Sequence, residues 1–76
     1  MNDRRRKQIT EIIDQLDELK LQIEQILEDE SEAYENLPEG IQGSERGCVM
    51  ESAIDNLDSA VEAMTDVTDY LSEAIQ

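Results

Sequence analysis

The sequence predicts an all-α protein: an antiparallel two-helix hairpin with heptad seams that pairs into a dimeric four-helix bundle. Two segments of nearly equal length each carry apolar residues at alternating spacings of three and four, which is the heptad pattern of packed helices. The only proline and all three glycines lie between these segments. A chain of 76 residues is also too short to cover two wide apolar stripes by itself, so we expect residues 1–76 to form one domain that associates with a second copy.

The first predicted helix, about residues 3–36, contains no glycine or proline and is rich in strong helix formers. Three of its e positions are apolar or aromatic (Ile13, Leu27 and Tyr34), which widens the stripe beyond a two-helix seam. Glu30, at an a position, either fixes the register as a buried polar group or lies where the seam reaches solvent. The residues predicted to form the self-association core of this helix lie at the a positions (Ile9, Leu16 and Ile23) and at the d positions (Ile12, Leu19 and Ile26).

The connecting loop is predicted at about residues 37–44. Pro38 disfavours helical conformation at the residue before it, and Gly40 and Gly43 permit positive φ, so the first helix should end near residue 36. Leu37 and Ile41 are apolar residues in this polar loop. They either cover the open end of the core or belong to a recognition surface.

The second predicted helix covers about residues 45–75, with Ser44 as its N-cap. Alanine fills three of its four d positions, whereas the first helix has large aliphatic residues in the same layers. Helix layers interdigitate well when large side chains on one helix face small ones on the other. The a residues predicted to join the self-association core are Met50, Leu57, Met64 and Leu71.

Charge is strongly segregated along a chain whose net charge is −14. Residues 1–7 hold four cations against one acid, whereas the rest of the chain has only Lys20 and Arg46 against nineteen acids. Such a body repels nucleic acid and anionic membranes, so we expect neither as a direct partner and expect a basic protein surface instead. The basic segment is an electrostatic clasp against the C-terminal end of the second helix, where Asp69 and Glu73 lie, a simple solubilised end, or a nucleic-acid or protein-binding arm.

Little in the composition supports catalysis. The chain has no histidine and a single cysteine, Cys48, so we expect no enzyme activity, no metal site and no cofactor. Acid pairs at i, i+3 are typical of all-α nucleotide pyrophosphohydrolases, but twenty acids produce such pairs by chance. The start of the chain is neither a signal peptide nor a membrane span, which indicates a cytoplasmic protein.

Seven acids of the second helix follow one another at spacings of three and four with no lysine among them. By the heptad count they lie opposite the apolar core, so the fold does not require them to be acidic. They are either a solubilising face or a surface that imitates a nucleic-acid strand and occupies a basic groove. This acidic row, the predicted partner-binding site, consists of Glu51, Asp55, Asp58, Glu62, Asp66, Asp69 and Glu73.

Residues 33–47 and 51–57, together with the basic start and the heptads, resemble a group of small acidic helical proteins encoded by phages and prophages of Gram-positive bacteria. The resemblance covers most of the chain and implies no catalytic residues. It favours an inhibitor of a host nucleic-acid-binding protein, in the style of acidic anti-CRISPR proteins, and as the alternative a structural or assembly scaffold acting through helical self-association.

Overall fold

The computed structural model describes all 76 residues and consists of two long antiparallel helices joined by one short helical turn. Helix α1 spans Asp3–Glu35, α2 spans Glu39–Gln42 and α3 spans Glu45–Ala74. The resulting rod measures 58 × 15 × 13 Å. The structure therefore confirms the all-helical hairpin, and each long helix is one residue shorter at its C-terminal end than the sequence predicted.

Both long helices begin at a side chain that caps the first turn. The Asn2 side chain accepts a hydrogen bond from the Arg5 N–H at 2.9 Å. Ser44 accepts one from the Gly47 N–H at 3.5 Å, which confirms it as the predicted N-cap of α3. These bonds satisfy N–H groups that have no partner within the helix.

The turn between the long helices is built without left-handed residues. No residue of the chain has positive φ, so Gly40 and Gly43 do not use the left-handed conformation that they permit. Instead, Pro38 precedes α2 in an extended conformation, and α2 itself reverses the chain. The Gln42 side-chain amide donates to the carbonyl oxygens of Tyr34 and Leu37, both at 3.2 Å, and so joins the turn to the C-terminal end of α1.

The loop end is closed by a tight approach between backbone segments. Gly47 is buried in the first turn of α3, and a Cβ atom added there would lie 2.0 Å from the carbonyl oxygen of Gln42. Only glycine fits at this distance. Leu37 is half-buried at this end, whereas Ile41 remains exposed, so only one of the two apolar loop residues covers the core.

The seam between α1 and α3 is formed by the a and e rows. Apart from Ser31, the half-buried residues of α1 alternate between these two rows. Glu30 is one of them, and it reaches solvent rather than lying buried. The large d residues lie outside the seam: Ile12, Leu19 and Ile26 are 47%, 49% and 55% exposed. No apolar side chain of the hairpin is fully buried, so the hairpin alone contains no closed core.

The d rows of both long helices lie on the same side of the hairpin. Tyr34 meets Glu51 across the seam, and Leu27 and Val61 line the same groove, which fixes the antiparallel register. In antiparallel helices that both use a and e for the seam, the d rows fall on one side of the plane through the two axes, and the b rows fall on the other. The two sides of the hairpin are therefore chemically distinct.

Candidate functional site

The acidic row lies fully on the surface of α3. All seven of its carboxylates are exposed, and by helical rise they extend over about 33 Å. Only two ion pairs form in the chain, Asp3 with Arg6 at 3.2 Å and Lys20 with Glu24 at 4.0 Å. No cation of the chain therefore neutralises any member of the acidic row.

The members of the acidic row do not all point the same way. Asp55, Glu62 and Asp69, at f positions, and Asp66 and Glu73, at c positions, are exposed on rows of α3 that lie outside the seam. Glu51 and Asp58, at b positions, instead flank the seam: the Tyr34 hydroxyl donates to Glu51 Oε2 at 3.5 Å, and Asp58 lines a groove between the helices. The row therefore curves from the outer edge of α3 toward the b side of the hairpin.

The contact with Glu51 changes the chemistry of Tyr34. Partial burial of the phenol raises the pKa of Tyr34 above its ordinary value, and the nearby carboxylate of Glu51, which also accepts its hydrogen bond, raises that pKa further. Cys48 adds a smaller contribution in the same direction. Because the neutral phenol is favoured, Tyr34 acts as a hydrogen-bond donor that holds Glu51 beside the seam.

A shallow groove on the b side combines an apolar floor with an acidic rim. Leu21 stands at its edge and is 66% exposed. The apolar lining consists of Leu21, Leu27 and Val61, and the acidic lining consists of Glu24, Glu28 and Asp58. Such a surface suits lysine or arginine, whose aliphatic stem packs on apolar groups while the charged end meets a carboxylate. Leu21 lies at an f position, outside the a, d and e stripe of the heptad, and the heptad pattern alone does not reveal this groove.

The basic segment near the start of the chain does not form the ion-paired clasp considered from the sequence. Arg6 pairs with Asp3 in its own helix, and no ion pair joins residues 4–7 to Asp69 or Glu73. Arg4, Arg5 and Lys7 are exposed. Attraction to the C-terminal end of α3 is thus limited to the longer-range field of that helix end.

The side opposite the groove carries almost no charge. Over residues 8–35 of α1 and 48–74 of α3, the d and g rows contain one charged residue, Asp29, whereas the b, c and f rows hold fifteen of the twenty acids. Arg46, in the first turn of α3, is a further charge in the d row next to the loop. We call this surface the uncharged side. Its members are Gln8, Ile12, Gln15, Leu19, Gln22, Ile26, Asp29 and Ala33 on α1, and Val49, Ala53, Asn56, Ala60, Ala63, Val67, Tyr70 and Ala74 on α3.

No group of three or more carboxylate or thiolate side chains is arranged to hold a metal ion, and Cys48 is exposed. No helix has the length and apolar character needed to cross a membrane. The exposed surface of the hairpin carries mainly carboxylates on one side and mainly apolar and uncharged polar groups on the other.

Fold and surface together define an acidic α-helical hairpin with two dissimilar sides. No protein-family model matches the sequence, and no curated protein or solved structure is significantly similar to it.

Proposed function

We propose that this protein is a non-enzymatic interaction module, a phage-encoded acidic inhibitor that occupies the basic, nucleic-acid-binding surface of a host protein in the host cytoplasm. In this respect it resembles acidic anti-CRISPR proteins. It acts as a homodimeric four-helix bundle. The observation that carries the proposal is the acidic row: seven exposed carboxylates on α3 with no cation of the chain paired to them.

The destabilisation caused by like charges in the acidic row supports a functional role for the row. Like charges at i, i+4 on a helix each destabilise it by about 0.2–0.5 kcal/mol. A row maintained for solubility alone would gain from interspersed lysines, and α3 has none. One carboxylate about every 5 Å along a straight rod is comparable with the charge spacing of a nucleic-acid strand, so a basic groove shaped for phosphates would accept it.

The b-side groove adds an apolar contact to this electrostatic one. Asp58 belongs both to the acidic row and to the rim of the groove, beside the exposed Leu21. A lysine or arginine of the partner that pairs with Asp58 can therefore lay its stem on Leu21 and Val61. This arrangement favours a partner whose cations are presented on extended side chains.

Reversal of four central acids tests the proposal. The variant Asp55→Lys, Asp58→Lys, Glu62→Lys, Asp66→Lys should lose capture of the partner from host lysate while far-ultraviolet circular dichroism still reports a folded helical protein. A matched control reverses four exposed acids of α1 (Glu11, Asp14, Asp17 and Glu18), which changes the net charge equally. Capture lost in the first variant and kept in the second supports the acidic row, whereas equal capture by both refutes it. Binding to the wild type should also weaken steeply with added salt.

The second candidate function is a structural or assembly scaffold that acts only through helical self-association. The uncharged side favours it, because an exposed surface with one charge in sixteen positions is suited to packing against another helix layer. On this hypothesis the α3 charge-reversed protein remains functional, while Leu57→Asp, which disrupts the seam, does not.

A further inference from the structure

Exposure alone does not explain why one side of the hairpin lacks charge. The large apolar residues on the uncharged side are as open to solvent as many charged residues: Leu19 is 49%, Val49 65% and Tyr70 72% exposed. In a chain with twenty acids, a solvent-facing surface of this size would be expected to carry several of them. The pattern is that of a surface covered by something apolar.

The accessible area of the hairpin indicates how much is left to cover. The chain exposes 5701 Å². A compact monomer of 8.7 kDa is expected to expose about 4,700 Å². The excess of about 1,000 Å² is close to the roughly 800 Å² that each partner contributes to a stable protein interface. The excess arises because the single hairpin is a 58 × 15 × 13 Å rod, and one further hairpin laid on the uncharged side would bring the exposed area of each chain close to the compact value.

The uncharged side is complementary to itself. The register places the large d residues of α1 level with small d residues of α3: Leu19 beside Val67, Ile26 beside Ala60, and Ile12 beside Ala74. Turning a second copy about a twofold axis parallel to the helices lays its α1 over the α3 of the first copy at the same level. Every large residue then meets the small residue of its own layer, which is how helical layers interdigitate.

We propose that the homodimer forms through the uncharged side, with the twofold axis parallel to the helix axes and each α1 packed on the partner's α3. This inference depends on the dimer of the proposed function and specifies its surface and geometry. Each helix is then antiparallel both to its neighbour in the same hairpin and to its neighbour in the partner. The acidic rows remain outside the interface, on diagonally opposite edges of the bundle. A closed, isologous C2 pair is the commonest arrangement of soluble homo-oligomers.

The competing twofold axis is perpendicular to the helix axes and lies in the plane of the interface. It places residues 4–7 of one copy over the acidic loop end of the other, which is favourable in charge. It also stacks α1 on α1 and α3 on α3, so that large residues meet large and alanines meet alanines. That mismatch strains one half of the interface and leaves voids in the other, and packing defects of both kinds destabilise an interior.

Cys48 allows the two axes to be distinguished without any substitution. It is the only cysteine, it is exposed, and it lies near the loop end of α3 outside the proposed interface. The axis parallel to the helices puts both copies of Cys48 at one end of the bundle, with spin labels about 20–30 Å apart. The axis across the helices separates them by about 35–40 Å. Pulsed electron paramagnetic resonance on the labelled wild-type protein should give the shorter distance, and the longer distance or the absence of any dipolar coupling would overturn the proposal.

Substitutions at Leu19 and Leu21 form a matched pair that tests which side of the hairpin forms the dimer interface. Both are exposed leucines of α1, two residues apart, but only Leu19 lies on the uncharged side. Leu19→Asp places two unpaired carboxylates in the proposed interface and should raise the dimer dissociation constant at least about 100-fold in sedimentation equilibrium. Leu21→Asp should leave that constant unchanged. Dissociation by both variants, or by Leu21→Asp alone, contradicts the proposed side.

These measurements separate this inference from the proposed function. A wild-type protein that is a dimer with the longer label distance refutes the axis and leaves partner binding by the acidic row intact. A wild-type protein that sediments as a monomer refutes the dimer of the proposed function and this inference together. Loss of partner capture on reversal of the acidic row bears on the proposed function alone.

Discussion

The two sides of the hairpin differ more than any other regions of this molecule. On the uncharged side, exposed aliphatic residues are flanked by glutamine, asparagine and alanine. On the opposite side and the outer edges, fifteen of twenty acids surround a groove that contains one large exposed aliphatic residue, Leu21. The same two helices carry both patterns, and both are open to solvent in the single hairpin.

The difference shows that exposure and charge are separate properties of this chain. If solvation alone governed the surface, acids would be distributed over every exposed row, because each position tolerates them equally. Only one acid, Asp29, lies in the d and g rows, and most of the others lie in b, c and f. The first pattern is expected of a surface that is covered in the assembled protein, and the second of a surface that stays accessible.

The largest effect should follow from breaking the seam that holds the two sides together. Leu57 is half-buried at an a position of α3, and Leu57→Asp places a carboxylate between the helices. We expect a loss of roughly 3 kcal/mol or more in the free energy of unfolding, and with it most of the helical circular dichroism signal. The control Ser59→Asp, at an exposed position of the same helix, should change the free energy of unfolding by less than about 0.5 kcal/mol. A fully helical Leu57→Asp protein would contradict the a and e seam.

A smaller loss is expected at the loop end, where the angle between the helices is set. Gly47→Ala introduces a Cβ 2.0 Å from the Gln42 carbonyl oxygen, so the backbone must shift, at a cost of about 1–3 kcal/mol. Gly40→Ala is the matched control, since nothing lies within 4 Å of its added Cβ. Because Gly40 lies in α2, alanine there should be neutral or stabilise slightly. Denaturant titration of both variants measures the difference, and equal stability would show that the close approach at Gly47 is absent.

The change in unfolding temperature with added salt should show how much the acidic row destabilises the protein by repulsion. The acidic side repels itself, so adding sodium chloride up to about 0.15 M should stabilise the protein, with the largest change below 0.05 M, where screening is weakest. The wild-type unfolding temperature should therefore rise with salt. The variant with lysine at positions 55, 58, 62 and 66 should show a clearly smaller rise, because its net charge is closer to zero. An identical salt response in both proteins would show that the acidic row contributes little to the repulsion.

The smallest effect concerns Tyr34 and Glu51, where the acidic row meets the seam. Because the pKa of Tyr34 is raised in the folded state, the unfolded chain loses this proton first as the pH rises past about 10. The contribution of Tyr34 to stability is thus constant below pH 10 and falls above it. In a Tyr70→Phe background, where Tyr34 is the only phenol, ultraviolet titration near 295 nm should give a midpoint above 10. Glu51→Gln should lower that midpoint, and an unchanged midpoint would show that Glu51 does not contribute.

Much of the fold could be predicted from the sequence because its signals are local. Heptad spacing and helix propensity placed both long helices, and Ser44 before a run without proline marked the start of α3. The choice between d and e as the second row of the seam could not be predicted, because Ile12 and Ile13 are equally apolar and only the packed geometry separates them. The α2 turn was missed for a similar reason: Gly40 and Gly43 permit a left-handed turn but do not require one.

The candidate site was predictable only in part. The acidic row could be listed from spacing alone, and its exposure follows from the heptad. The contact between Tyr34 and Glu51 and the groove beside Leu21 depend on the antiparallel register, which brings residues 17 positions apart together. The capping of α1 by Gln42 depends on the path of the loop in the same way.

The straightness of α3 sets the reach of the acidic row. Because no proline or internal glycine interrupts residues 48–74, the row keeps its length of about 33 Å, nearly the 34–36 Å of one turn of duplex DNA. A protein groove that matched the row from end to end would thus be one that normally holds about ten base pairs. On the proposed function, duplexes of at least about ten base pairs should compete with the protein for the groove, and shorter duplexes should compete less well.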